Sequence, residues 1–347
     1  MTDRKKERLQ VWLLAAFTLA IFLCSFFLGR YTVRAGTTVS ILLDRLLRGL
    51  SLGRLGLAKS WTDAEWAVIV QTRLPRVGAA ALVGAALSAA GCAYQGMLRN
   101  PMVSPDLLGA STGAGFGAAL AILLGCSYAA VTGVSFAAGL LAVAVSMLIA
   151  RKARMDTALS TVLSGMMVSS LFSSATSFLK LSADPEAQLP AITYWLMGSL
   201  ASVKLSDLRF AAVPVLLGLV PLFLLRWRLN LLTVSDAEGR SMGVNTSLLR
   251  GIVIVCATLA TAGSVCVSGM IGWVGLVVPH LGRLLFGQDN RRLMPASMLL
   301  GAAFLMVTDD LARLVSTSEV PLGILTSFVG APVFLWLIVK GGVRRAT

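Results

Sequence analysis

RLPRVGAAALVGAALSAAGCAYQGMLRNPMVSPDLLGASTGAGFG, residues 73–117, places a polar, proline-broken connection between two apolar segments rich in Gly, Ala and Ser. Backbone freed by Pro101 and Pro105 finds no hydrogen-bond partner in hydrocarbon, so it must be satisfied inside protein or beside an aqueous cavity. The small residues on either side let helices approach closely, as membrane bundles require when lipid gives no hydrophobic push between helices. The stretch therefore reads as the interior of a transport core.

Composition agrees with that reading over the whole chain. Of 347 residues, 56% are apolar and 13% charged, and the mean hydropathy is +0.82. The polar surface needed to cover a soluble globule is missing. Runs of about 17 to 25 apolar residues suffice to span a bilayer as helices, and ten candidates lie near 10–29, 74–98, 107–125, 128–150, 158–180, 208–226, 249–268, 271–286, 293–312 and 321–340. The eighth is short and interrupted by glycine. The runs are apolar on all sides and lack the alternation of a membrane β-barrel. The expected fold is an all-α integral membrane protein of about ten transmembrane helices with short broken helices, in a single transmembrane domain over 1–347.

A net charge of +14 does not imply a nucleic-acid partner, because the basic residues sit at the ends of apolar runs and form no soluble basic domain. A cytoplasmic N-terminus puts Arg4, Lys5, Lys6, Arg8, Arg99, Arg151, Lys152, Arg226, Arg228, Arg283, Arg291 and Arg292 on the inner side, as the positive-inside rule favours. An even number of spans returns the C-terminus there, so both termini are expected in the cytoplasm. The stretch from Arg30 to Arg76 is the exception, an outward segment carrying many cations. The N-terminal apolar run is longer than the roughly 7 to 15 residues of a signal peptide and is kept as the first span.

Between the spans, 38–52 has the helical apolar rhythm of an interfacial helix, and 181–207 is turn-rich and then helical. In LNLLTVSDAEGRSMGVNTSLLR, residues 229–250, Asp236, Glu238 and Arg240 lie beside Ala237 and Met242 with Gly239 and Gly243 as breakers. Short amphipathic helices that receive a partner fit this pattern, and so does a solvated turn. Cys24, Cys92, Cys126, Cys256 and Cys266 lack metal-ligand spacing and are expected to be small buried packing residues. His280, the only histidine, sits beside Pro279 and is expected to be structural. Met166, Ser170, Ser173 and Ser177 recur at helical spacing and share one face, which suits either a modestly polar path or packing against a neighbouring helix. The Gly- and Pro-containing runs 91–117 and 269–287 are a faint internal echo. No GxxxxGK[ST] loop is present, so the chain cannot cradle ATP in that way.

Taken in order, RLPR at 73–76, GCAYQ at 91–95, NPMVSPDLLG at 100–109, WLMGSL at 195–200, SDAEGRSMGV at 235–244, SGMIGWVGLVVPHLGR at 268–283, TDDLARLV at 308–315 and PLGILTSFVGAPVFLWLI at 321–338 make the whole chain resemble one family. It resembles the FecCD group, the permease subunits of type II ABC importers for iron chelates, haem and cobalamin. The chain departs from relatives in having Met102 and Val103 after Asn100-Pro101, Ser235 and Asp236 ahead of the coupling helix, and Asp310 after Asp309.

The resemblance implies a second permease subunit, as a homodimer, with two ATP-binding subunits inside, a substrate-binding protein outside, and a multi-pass location in the inner membrane. ATP and Mg would be bound by the ATPase, and no cofactor or metal by this chain, which would not be an enzyme. It implies ATPase coupling through Asp236, Ala237, Glu238, Arg240, Met242 and Gly243, and a cytoplasmic gate at Thr157, Ala158, Leu159 and Ser160. It also implies exterior docking arginines at Arg73, Arg76 and Arg313, and the face of Met166, Ser170, Ser173 and Ser177 read from spacing is the candidate translocation path, with helix packing as its equal alternative. As exposed pairs these arginines would be worth only about 0.2 to 1 kcal/mol each and would mainly steer and orient the encounter. Lipid-headgroup anchoring is the alternative. The rival from another class is an ion-gradient-driven secondary transporter. It needs ionisable groups deep in the membrane, and only Asp309 and Asp310 come near that.

Overall fold

The computed structural model describes residues 3–49, 60–153, 157–233, 243–316 and 318–343. Among these the regular structure is entirely helical. The helices are α1 (Asp3–Cys24), α2 (Ala35–Gly49), α3 (Asp63–Trp66), α4 (Leu74–Met97), α5 (Ala110–Leu123), α6 (Tyr128–Lys152) and α7 (Thr157–Ser182). They continue with α8 (Gln188–Met197), α9 (Leu205–Leu224), α10 (Thr246–Ser268), α11 (Val274–Phe286), α12 (Asn290–Leu314) and α13 (Leu322–Val343). Each of the ten hydrophobic runs has become a helix. Six helical stretches are long and apolar enough to cross a membrane by length and composition, while the apolar parts of α1, α5, α11 and α13 are shorter, at 10–17 residues. The interfacial segment is α2, and the helical part of 181–207 is α8.

Helix boundaries move where the chain is broken for a reason. The first run was expected to reach residue 29, but α1 stops at Cys24. A helix end leaves its last carbonyls without partners, and here Arg73 donates to the Phe26 carbonyl at 2.6 Å. Ahead of α4, a π-helical segment Ala67–Arg73 continues α3, so that one unbroken helix runs from Asp63 to Met97. Thr62 starts it with a reciprocal capping box to Glu65. Pro105–Leu108 forms a 3-10 turn capped by Ser104, and Gly109 at φ 90° ends that turn and starts α5. Only glycine adopts that backbone conformation freely.

α4 is the hub. In its apolar window 78% of the residues are buried, against 22% for α7. It packs on α12, α10, α11 and α9 through small residues. A Cβ on Gly84 would strike the backbone of Gly301 in α12, and one on Gly91 would strike the backbone of Gly275 in α11. This is the close approach that small residues permit in membrane bundles. Two apolar clusters fill the spaces around the hub, one including Tyr94, Leu222 and Met294, the other Phe26, Leu87, Val274 and Leu305. The five cysteines do not all follow the expectation of burial. Cys92, Cys256 and Cys266 are buried, whereas Cys24 and Cys126 are exposed at the end of α1 and in the turn after α5.

Candidate functional site

At the end of the bundle where α4 begins and α12 finishes, the expected docking arginines come together, but not as free surface cations. Arg73, Arg76 and Arg313 are 4%, 4% and 7% exposed. Arg76 Nε lies 2.9 and 3.0 Å from the two carboxylate oxygens of Asp309, and its Nη1 lies 2.8 and 2.9 Å from those of Glu319. Arg313 pairs with Asp310, bonds the Leu28 carbonyl and sits 3.3 Å from Asp309. Asp310 also accepts from Ser25 at 2.7 Å. Arg30 reaches the carbonyls of Arg313 and Ser316.

The expectation of exposed pairs is therefore corrected: these arginines tie α1, α4, α12 and the turn after α12 into one buried network. The physical reason is local supply. Asp309 and Asp310 sit one helical turn before Arg313, and Glu319 on the following turn closes over Arg76. A desolvated guanidinium takes carboxylates that lie within reach of its planar fork.

Toward the opposite end, the two Gly- and Pro-containing runs face each other. Gln95 of α4 donates to the Val103 carbonyl at 3.0 Å and to those of Gly275 and Leu276 at 3.4 and 3.3 Å. Arg283 of α11 in turn donates to the Gln95 carbonyl oxygen. Pro105 packs where a Cβ on Gly275 would lie. One buried amide thus partners a carbonyl of the loop between Pro101 and Pro105 and two at the start of α11. Asp106 accepts from Ser104 and Ser111 and holds the turn into α5. His280 packs edge-on against Phe334 of α13 at 6.3 Å between ring centroids. A second convergence joins three of the motifs: the Ser199 amide bonds the Ser268 carbonyl and the Leu322 amide bonds the Gly198 carbonyl, both at 2.8 Å.

Helix α7 is different from its neighbours. Met166, Ser170, Ser173 and Ser177 lie together on an exposed face, although the helix is of membrane-spanning length. Ser177 bonds back to the Ser173 carbonyl at 3.0 Å, so the stripe is a row of hydroxyls and a thioether without charge. Of the expected gate at its start, Ser160 is buried, Ala158 half-buried and Leu159 47% exposed. The coupling residues Asp236, Ala237, Glu238, Arg240 and Met242 lie outside the described residues. Gly243, at φ +75° in open space, is the described end of that loop, and α10 follows with Asn245 as its cap.

The profile of the FecCD transport family matches residues 17–340. The chain belongs to the FecCD transport family. Among relatives of this FecCD protein, the "Probable iron chelatin transport system permease protein" of Helicobacter pylori strain 26695 is 43% identical over 79% of this chain and 82% of the relative. The molybdate import system permease protein MolB of Haemophilus influenzae is 41% identical over 80% and 83%. The hemin transport system permease protein HmuU of Yersinia pestis is 34% identical over 90% and 96%. A solved inward-facing metal-chelate type ABC transporter covers 95% of this chain and 98% of its own, with a TM-score of 0.84 at 35% identity. The FecCD chain is thus a multi-pass membrane permease subunit of an ABC importer with the type II fold, and ATP hydrolysis belongs to separate ATPase subunits.

Sequence reasoning missed three residues that build this FecCD core. Gln95 had been noted only as part of a motif, Glu319 had no role, and Asp309 was noted only in its motif and as the nearest approach, with Asp310, to an ionisable group in the membrane. A signal existed for Gln95: a lone amide six residues before Pro101, inside an otherwise apolar helix, must bond something. Glu319 had no such signal, because its partner is 243 positions away.

Proposed function

We propose that this chain forms, as a homodimer, the membrane path of an ATP-driven importer whose cargo is an iron chelate, haem or cobalamin-type molecule. The observation that carries the reading is the exposed Met166, Ser170, Ser173 and Ser177 face of α7. A row of hydroxyls facing outward from mid-span suits a hydrated path completed by a second copy. Without charges the face offers no tight site, so a bulky chelate slides past it. The resemblance to iron-chelate, haem and molybdate permeases supports the importer class, and the iron-chelate relative points to the cargo.

In this reading both termini are cytoplasmic, and the loop containing Asp236, Ala237, Glu238, Arg240, Met242 and Gly243 docks the ATPase, which binds ATP and Mg. Thr157, Ala158, Leu159 and Ser160 close the path near that side. A binding protein lands at the opposite end, where Arg73, Arg76 and Arg313 act from beneath by holding the turn around Glu319 and the segment after α1 in register. No cofactor is bound by this chain.

The test is reconstitution with the cognate ATPase and binding protein in liposomes, following ATP-dependent uptake of a ferric siderophore, haem, cobalamin and molybdate in parallel. Uptake of one metal chelate, abolished by Ser170→Trp with Ser173→Trp while ATPase assembly persists, is the expected result. Uptake of molybdate alone, or transport driven by an ion gradient without the ATPase, would overturn it.

A further inference from the structure

A groove of about 790 Å³ runs between α6 and α10 and reaches the start of α7. We propose that it holds one anionic phospholipid of the leaflet on that side, with its phosphate at the mouth and an acyl chain along the groove. The two ends of the groove have opposite chemistry. Its mouth carries Arg151 and Arg250 with the hydroxyls of Ser160, Thr161 and Ser247, and no carboxylate is among its described lining residues. Its walls are Val143, Leu148, Ile254, Val255 and Leu259.

The dimensions suit a lipid better than a compact solute. From Thr246 to Leu259 the groove follows α10 for about 20 Å at 1.5 Å per residue, on the scale of an acyl chain extending from the interface toward the bilayer centre. Thr258 at the deep end spends its hydroxyl on the Ile254 carbonyl at 2.7 Å and the Tyr94 hydroxyl at 3.3 Å, so that end adds no open polar group. Leu148 and Val255 are exposed at 59% each, leaving the groove open along that side of the chain. Basic pockets between transmembrane helices are where anionic headgroups lodge, and a guanidinium fork matches a phosphate.

The position gives the lipid a consequence. The groove touches the first turn of α10, which follows the loop ending at Gly243, and the first turns of α7 at Ser160 and Thr161. A lipid seated there wedges these two helix starts apart. The inference does not depend on the cargo.

The experiment is native mass spectrometry of the full chain, released from micelles containing equal amounts of dioleoylphosphatidylglycerol and dioleoylphosphatidylcholine. One phosphatidylglycerol per chain is expected to be retained in preference to phosphatidylcholine. Arg151 contributes roughly fivefold to that ratio. Arg151→Gln should lower the ratio by about that factor, Arg151→Lys should preserve most of it, and Ala144→Phe, which fills the groove without touching charge, should abolish retention. The ratio is internal to each sample, so a poorly folded fraction does not imitate the effect. Equal retention of both lipids, or an unchanged ratio in Arg151→Gln and Ala144→Phe, would overturn the proposal. So would a disulfide between copies at Leu148→Cys in membranes, because a second copy would then cover the groove.

Discussion

Removing the guanidinium of Arg76 should be among the most damaging single changes available at the α4–α12 contact. The side chain makes four short contacts to two carboxylates, at 2.8 to 3.0 Å, and both Arg76 and Asp309 are almost fully buried. Breaking one partner out of a buried ion pair costs about 3–5 kcal/mol, because the remaining charge is left desolvated. Arg313 stays 3.3 Å from Asp309 and shares the deficit, which places Arg76→Ala near the lower bound, about 3 kcal/mol. Glu319→Gln should cost less, about 0.5–1.5 kcal/mol, since its side chain is 29% exposed and an amide still accepts one bond. Arg76→Met combined with Asp309→Leu should lose much less than the sum of the two singles, as paired apolar replacement removes both stranded charges. The assay is unfolding in mixed micelles against increasing dodecyl sulfate, read by tryptophan fluorescence. A cost below about 1 kcal/mol for Arg76→Ala, or strict additivity in the cycle, would refute the buried-network account. The same account implies that reversing the charge of Arg73, Arg76 and Arg313 together lowers the yield of folded protein, so loss of transport in that variant does not report docking alone.

Gly91→Val should sharply reduce folded protein in membranes, because its Cβ would meet backbone of Gly275 and not a flexible side chain, while Gly133→Val, in open space, should express like wild type. Asp289, which caps α12 and accepts from the Arg291 amide and the Asn230 side chain, has its carboxyl held below the usual carboxylate range: burial pushes it up, but those hydrogen bonds and the charges of Arg291 and Arg292 outweigh burial. Its contribution is therefore present above an unfolded pKa of about 3.9 and is lost as pH falls through the lower folded value. Asp289→Ala should cost about 1 kcal/mol near pH 7, with the gap to wild type closing under acid in the same unfolding assay. N-ethylmaleimide followed by peptide mapping should modify Cys126 first, in its exposed turn, while the buried Cys92, Cys256 and Cys266 react only after unfolding. Early labelling of Cys92 would contradict the tight α4–α11 crossing.

The helices were legible because apolar length alone announces a span, and each of the ten runs found its helix. What the sequence could not announce was tertiary supply. Arg73 looked like an outward cation because it lies in the basic outward stretch from Arg30 to Arg76, but the broken end of α1 offers it carbonyls. The exposure of the Met166, Ser170, Ser173 and Ser177 stripe was undecidable from spacing, since the same pattern serves a path or a helix contact, and among the described residues no helix covers it. The placement of Gln95 was half legible: the proline break demanded a donor, but which residue supplied it depended on α4 and α11 meeting at Gly91 and Gly275.

The backbone contacts of α4 also fix a frame of reference for motion. Advancing α4 by one residue along its own screw, 1.5 Å with about 100° of rotation, would bring Cys92 or Ala90 to the place of Gly91, and Ala85 or Val83 to the place of Gly84, with a methyl or larger group against a carbonyl. The stack of α4, α11 and α12 therefore behaves as a stator. Helix α7 has the least covered apolar window of the six long spans, and it is seated at one point in the same way, where a Cβ on Gly165 would strike the Leu107 carbonyl. Spin labels on α4 and α12 should keep one distance through every nucleotide state and serve as the ruler. Against that ruler, the displacement of α7 between an outward and an inward opening can be read in ångströms.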